Sequence, residues 1–147
     1  MAEIYKGHCL CGAVQLEGRG APKLEICHCN MCRGWHGSPA MAASFEQGVH
    51  IVAGKEQIKA FQSSDWAERA FCSNCGTTLY YHLTGSDVIH SSQAGLFDLP
   101  EGLTIHEEIF VDEQPDYYRF DTDAPRITSA QMFERFEKYE AEQQNND

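Results

Sequence analysis

The chain has 147 residues, of which 42% are hydrophobic, and a formal net charge of -11 at pH 7. This length fits one domain with its own core, and the composition is that of a folded globular protein, not a disordered one. The charge disfavours nucleic acid as a partner, because affinity for a polyanion comes mostly from Lys and Arg side chains that neutralise phosphates.

Membrane insertion and export are also disfavoured. No apolar run approaches the ~20 residues that cross a bilayer, and the residues from Met1 to Lys6 lack the charged-then-apolar pattern of a signal peptide. The seven cysteines are odd in number and closely spaced, which favours metal binding over disulfides. We therefore expect a cytoplasmic protein with no membrane partner, and the sequence indicates no oligomeric state.

Most of the chain is predicted to form short strands separated by Gly, Pro, Asn and Asp turns. Several runs alternate apolar and polar residues, and others are rich in β-branched and aromatic residues. The predicted strands lie, in chain order, within residues 13–17, 23–27, 49–52, 58–62, 78–81, 87–91 and 107–111. The predicted class is therefore mainly β.

A helical period is visible only near the C-terminus. Thr128 is predicted to cap a helix, with Gln131 three residues later, and an apolar face follows. The residues of this face are Met132, Phe133, Phe136 and Tyr139. We expect a single domain over residues 1–127, with residues 128–147 forming a helix packed on the same sheet and an acidic tail that frays after Tyr139.

The seven cysteines fall into three short groups. In two of them a glycine follows the second cysteine, and the third holds three cysteines within six residues. The groups are Cys9-Leu10-Cys11-Gly12, Cys27-His28-Cys29-Asn30-Met31-Cys32 and Cys72-Ser73-Asn74-Cys75-Gly76. A structural zinc takes four Cys or His ligands, whereas a catalytic zinc keeps three and leaves the fourth position for water or substrate. Seven ligands therefore predict two Zn2+ per chain, one closed and one open.

The two groups with a glycine are predicted to hold the structural zinc. A glycine after the second sulfur can turn at positive φ, which lets backbone N–H groups point at the thiolate. A metal shared by both groups would close a loop of about sixty residues, whose entropy cost metal binding offsets. The predicted ligands are Cys9, Cys11, Cys72 and Cys75.

The middle group is predicted to be the open, catalytic zinc site. We expect its short loop to wrap one ion from one side through Cys27, Cys29 and Cys32. One alternative is that a histidine supplies a fourth ligand and closes the site; the candidates are His8, His28 and His36. Another is that the three cysteines are reduced core residues.

Arg33 follows the last cysteine of the middle group and is the predicted substrate-binding residue. Its charge would lower thiolate basicity or hold a substrate carboxylate in a bidentate pair. The alternative is a surface arginine paired with one of the 22 acidic residues. For His28, strand alternation between Cys27 and Cys29 would turn the ring away from the metal, which favours a core or supporting role.

Together these motifs resemble the glutathione-dependent formaldehyde-activating enzyme family. The resemblance extends beyond the cysteines and covers roughly residues 4–121, leaving out the C-terminal helix. Its motifs are Gly7-x-Cys9-x-Cys11-Gly12-Ala13-Val14, Cys27-His28-Cys29-x2-Cys32-Arg33 and Phe71-Cys72-x2-Cys75-Gly76-Thr77-x-Leu79.

The resemblance implies a β-tent fold of short antiparallel strands with zinc knuckles, and the same division of the cysteines into a structural and a second zinc site. It also implies a carbon-sulfur lyase activity, in which glutathione condenses with formaldehyde to S-(hydroxymethyl)glutathione. The expected partner is therefore a small thiol such as glutathione. The alternative is a non-catalytic zinc-binding module for protein interaction or for thiol or metal carriage.

Overall fold

The computed structural model describes residues 2–145, which form ten strands, two α-helices and three 3-10 helices. The α-helices are α1, Asn30–His36, and α2, Ser129–Asn145. The strands are β1 Ile4–His8, β2 Gln15–Arg19, β3 Pro22–Cys27, β4 Ala40–Ala53, β5 Ile58–Gln62, β6 Ala67–Cys72, β7 Thr78–Leu83, β8 Ile89–Gln93, β9 Ile105–Ile109 and β10 Arg126–Ile127. The 3-10 helices are Lys55–Gln57, Ala94–Leu96 and Val111–Glu113. No helix among the described residues is long and apolar enough to span a membrane.

The predicted mainly β class with a C-terminal helix is confirmed. Every predicted strand overlaps an observed one, although residues 110 and 111 fall beyond the end of β9. The sequence analysis missed β1, β6, β10 and the first part of β4. It also missed α1, since a helix of seven residues is too short to show a clear apolar period.

The described chain divides into two compact units, residues 2–25 with 41–104 and residues 26–40 with 105–145. In the first unit antiparallel strands follow the order β4-β8-β7-β6-β5, and β2 pairs with both β1 and β4. In the second unit the two-residue strand β10 pairs with β9 in parallel, an exception to the expected antiparallel strands. The long connection between these two strands allows the chain to return in the same direction. The boundaries 1–127 and 128–147 stay a prediction.

The core of the first unit places two cysteines at its centre. Cys9 and Cys72 are fully buried with Val14, Leu16 and Leu79. Because both cysteines stand at strand ends within this core, the loops that follow them have fixed starting points. The packing of the apolar strands therefore positions the first candidate metal site.

The capping box predicted for α2 is confirmed. The Thr128 hydroxyl accepts a hydrogen bond from the Gln131 N–H at 3.3 Å, and the Gln131 side chain accepts one from the Thr128 N–H at 2.8 Å. The helix continues to Asn145, so the expectation that the chain frays directly after Tyr139 is wrong for residues 140–145. Glu, Ala and Gln are strong helix formers and sustain these exposed turns without burial. The last two residues of the predicted tail lie outside the described residues.

The apolar face of α2 is only partly covered. Met132 is buried, whereas Phe133, Phe136 and Tyr139 remain between 38% and 54% exposed. Arg135 reaches from the helix to Glu107 on β9, with Nη1 2.8 Å from Oε1 and Nη2 3.1 Å from Oε2. Within the second unit, α2 is therefore held by a bidentate ion pair as well as by apolar contact.

Candidate metal centres

The structure brings four of the cysteines together in the first unit. Their sulfur atoms all lie within 4.8 Å of one another, and this four-cysteine cluster consists of Cys9, Cys11, Cys72 and Cys75. The residues that the sequence analysis grouped are thus the residues that meet. Four sulfurs at this spacing form a donor set that could hold one metal ion.

Two similar turns present these sulfurs. In the first turn, the Cys9 N–H bonds to the Val14 carbonyl at 3.1 Å, and in the second the Cys72 N–H bonds to the Thr77 carbonyl at 2.9 Å. Gly12 has φ 80° and the corresponding glycine of the second turn has φ 81°, so both adopt the positive φ that the sequence predicted. The Val14 N–H then points at the Cys9 sulfur, 3.3 Å away.

Polar groups around the four-cysteine cluster favour thiolates at two positions. The Thr77 hydroxyl, 3.1 Å from the Cys75 sulfur, is the main cause that lowers the pKa of Cys75 to about 5. The Asn74 amide donates to the Cys11 sulfur at 3.2 Å and lowers the pKa of that thiol. Thr77 also accepts a hydrogen bond from the Leu10 N–H at 3.1 Å, so one hydroxyl joins the two turns. These donors are an outer shell suited to thiolate ligands.

The remaining three cysteines meet in the second unit. Their sulfurs also lie within 4.8 Å of one another, and this three-cysteine cluster consists of Cys27, Cys29 and Cys32. The expected loop is wrong here: Cys27 ends β3, Cys29 is the N-cap of α1, and Cys32 lies in its first turn. The Cys29 sulfur accepts the Cys32 N–H at 3.3 Å, as a capping side chain does. A strand end and a helix start thus replace the flexible loop.

The three-cysteine cluster fits a cation on the chemistry of its donors. The adjacent sulfurs of Cys29 and Cys32, together with burial, raise the pKa of the Cys27 thiol far above its usual range. Three clustered thiols therefore cannot all ionise unless a positive charge compensates them. A bound metal ion supplies that charge and requires deprotonated sulfur ligands.

His28 does not belong to this cluster. It is fully buried, its Nε2 lies 2.8 Å from Glu108 Oε1, and its Nδ1 lies 2.7 Å from the Tyr118 hydroxyl. Both ring nitrogens are therefore engaged away from sulfur, as the supporting role predicted. Within residues 2–145, the three-cysteine cluster includes no histidine nitrogen or carboxylate oxygen at ligand distance. This arrangement therefore does not support the alternative in which His8, His28 or His36 supplies a fourth ligand.

A closed ring of hydrogen bonds surrounds His28, and the sequence analysis missed it. Glu108 is buried and also accepts from Arg126 Nη1 at 3.0 Å. Arg126 donates to the Gln114 side chain at 2.6 Å, and Gln114 in turn donates to the Tyr118 carbonyl at 2.8 Å. The ionised Glu108 carboxylate can only accept, so Nε2 of His28 carries the hydrogen. When the imidazole is neutral, its Nδ1 therefore accepts a hydrogen bond from the Tyr118 hydroxyl.

Arg33 lies on α1, one residue after the last cysteine. Its Nε donates to the His28 carbonyl at 3.0 Å, which anchors the guanidinium to the peptide between Cys27 and Cys29. This bond does not use the two Nη atoms, the pair that matches a carboxylate. Burial is the largest effect on the Tyr118 phenol and raises its pKa, while the Arg33 charge acts in the opposite direction. Substrate binding by Arg33 stays a prediction.

Comparison with known proteins identifies relatives over most of the chain. The profile of the family described as "Glutathione-dependent formaldehyde-activating enzyme" matches residues 4–113. An uncharacterized lyase of Schizosaccharomyces pombe is 42% identical over 117 residues, covering 79% of this chain and 85% of the relative. A crystal structure of a Rhodobacter sphaeroides protein has a similar fold, with a TM-score of 0.50 and 24% identity over 84% of this chain and 99% of that one.

The hydrogen-bond ring predicts unequal roles for two adjacent tyrosines. Tyr118→Phe keeps the ring that stacks on His28 at a centroid distance of 5.5 Å but removes the hydroxyl, leaving Nδ1 of a buried histidine without its partner. We expect a loss of about 1–3 kcal/mol in the free energy of unfolding. Tyr117→Phe, at a residue 82% exposed, is the matched control and should change it by less than about 0.5 kcal/mol. Urea denaturation of the metal-loaded proteins measures both free-energy changes, and equal changes would contradict the role of the hydrogen-bond ring around His28.

Proposed function

The chain belongs to the glutathione-dependent formaldehyde-activating enzyme family, and from this premise we propose that it is a zinc-dependent enzyme of the carbon-sulfur lyase type. Its proposed substrate is the adduct of a small thiol, such as glutathione, with formaldehyde or a related aldehyde. The observation that supports this most strongly is the three-cysteine cluster, which has three sulfur donors and no fourth donor among residues 2–145. Three protein ligands are typical of catalytic zinc sites.

Zinc is the proposed metal for both clusters. Thiolate sulfur is a soft donor that suits zinc, and a set of four closed donors is typical of structural sites. The four-cysteine cluster joins turns that are more than sixty residues apart, so its metal would contribute to folding. We assign the structural role to Cys9, Cys11, Cys72 and Cys75, and the catalytic role to Cys27, Cys29 and Cys32.

The proposed reaction forms or breaks one carbon-sulfur bond. In the direction of addition, the sulfur of the thiol bonds to the aldehyde carbon, the C=O double bond becomes a single bond, and the thiol proton ends on the oxygen. The reverse direction releases the aldehyde and the thiol. A zinc ion held by the three cysteines would supply a position at which a thiol ionises near neutral pH.

The chain's own residues would bind and orient the thiol. Arg33, whose Nε donates to the His28 carbonyl, would pair with a carboxylate of the thiol compound. The net charge of -11 would repel an anionic peptide at long range. At physiological ionic strength the Debye length is about 8 Å, so a contact pair at Arg33 outweighs most of that distant charge. The cysteines must stay reduced, which agrees with a cytoplasmic location.

Single cysteine replacements test the two zinc roles. Cys75→Ser should unfold or strongly destabilise the chain, because structural zinc contributes on the order of 10 kcal/mol to folding in small zinc domains. Cys29→Ser should keep the β spectrum and one zinc while losing the other. Circular dichroism with elemental analysis measures both, starting from two zinc ions in the unmodified protein. If Cys29→Ser were the more destructive change, the structural and open assignments would have to be exchanged.

Thiol ligation tests the proposed function directly. With cobalt in place of zinc, glutathione should change the thiolate-to-metal absorption, and S-methylglutathione, which cannot ionise at sulfur, should not. Arg33→Ala should weaken the glutathione titration by roughly tenfold, the usual size of a lost charge-assisted pair, without removing the metal. An unchanged cobalt spectrum at millimolar glutathione would eliminate direct thiol ligation and favour a non-catalytic zinc module.

A further inference from the structure

One aromatic ring packs against the three-cysteine cluster. Phe110 follows β9 directly, and its half-buried side chain contacts the apolar group formed by Cys29, Cys32 and Ala40. Cys27 is partly buried against the same group. An aromatic surface therefore lies next to the sulfurs at a place that solvent still reaches in part.

The backbone of Phe110 is strained. Its φ of 55° and ψ of 43° lie in the left-handed region, and it is the one residue other than glycine with positive φ in the described part of the chain. Bulky side chains rarely adopt this conformation. Such residues concentrate at active sites and ligand clamps, where the surrounding structure holds them against the strain.

The surrounding contacts fix the ring relative to the sulfurs. The His28 N–H, between two of the three cysteines, donates to the Ile109 carbonyl at 3.0 Å, and the Glu113 N–H donates to the Phe110 carbonyl at 3.0 Å. On α2, the Phe133 ring meets the Phe110 ring edge to face at a centroid distance of 6.0 Å. The backbone that carries the cysteines is thus bonded to the residue that precedes Phe110.

We propose that Phe110 is a specificity-determining residue of the thiol site, and that its ring is an apolar wall on which the S–CH2 group of the incoming thiol packs. This inference rests on the proposed function, because it needs a thiol at the three-cysteine cluster. Glutathione and other primary thiols carry a methylene next to the sulfur, and both divalent sulfur and methylene groups pack favourably on aromatic rings. An apolar wall also keeps water from one side of the sulfur ligands.

The test compares a ligand that carries this methylene group with one that lacks it. Glutathione carries it, whereas azide is an anion without carbon that also binds open cobalt positions. Both are titrated into cobalt-loaded protein with Phe110→Ala, which removes the ring and keeps the strained Cβ, and with Phe110→Gly, which removes both. Phe136→Ala is the control, because it removes a different aromatic ring, one on α2 that is 38% exposed.

We expect both Phe110 variants to bind glutathione about tenfold more weakly, the usual effect of losing an apolar contact of this size. Azide binding should change by less than about twofold, since azide has no methylene, and the thermal midpoint should be higher for Phe110→Gly than for Phe110→Ala because glycine relieves the strain. The control should bind both ligands as the unmodified protein does.

Two results would overturn the inference alone. One is unchanged glutathione affinity in both variants, and the other is an equal loss for glutathione and azide that follows the thermal midpoint, which would make Phe110 a support for the loop. If the unmodified protein responded to azide but not to glutathione, or to neither, the proposed thiol function would fail and this inference with it.

Discussion

The crowding of cysteine sulfurs requires a compensating positive charge at two places in the molecule. The seven thiols form two clusters, and within each cluster the sulfurs lie within 4.8 Å of one another. At such distances the thiols of one cluster cannot all ionise without a compensating cation. In the three-cysteine cluster, neighbouring sulfurs raise the pKa of Cys27. In the four-cysteine cluster, nearby donors instead lower the pKa of Cys75 to about 5. In the same four-cysteine cluster a backbone hydrogen bond from Cys75 acts to lower the pKa of Cys72, but burial and the neighbouring sulfurs raise it to about 11, so both clusters contain thiols that need a compensating cation to ionise.

Different local structures hold the sulfurs of the two clusters. The four-cysteine cluster lies on two glycine-containing turns that follow strands of the first unit, and its Cys9 and Cys72 are fully buried. The three-cysteine cluster lies at a strand end and a helix start, bordered by Arg33 and by the strained Phe110. The four-cysteine cluster has Cys11 exposed to solvent, and its full set of four donors is what suits it to a permanent ion. A cluster with three donors beside a cation and an aromatic ring is suited to an exchangeable ligand.

Sequence alone predicted the features that depend on local spacing. The glycines after Cys11 and Cys75 have positive φ because the turn that aims N–H groups at sulfur needs it, and the box of Thr128 and Gln131 is closed by residues three apart. The missed features depend on distant residues or on short elements. His28 and Glu108 are 80 positions apart, and no periodicity could pair them. Helix α1 begins at a capping cysteine, a residue type that rarely signals a helix start.

We propose that the three-cysteine cluster is an open metal site that accepts the sulfur of a thiol, while the four-cysteine cluster is closed. A crystal structure of the zinc-loaded protein grown with glutathione tests this proposal. We expect two zinc ions: one with four cysteine sulfurs, and one with Cys27, Cys29 and Cys32 plus the glutathione sulfur at about 2.3 Å, the usual zinc-sulfur distance. A second zinc with a protein nitrogen or oxygen in the fourth position, and glutathione absent from it, would show that the three-cysteine site is closed.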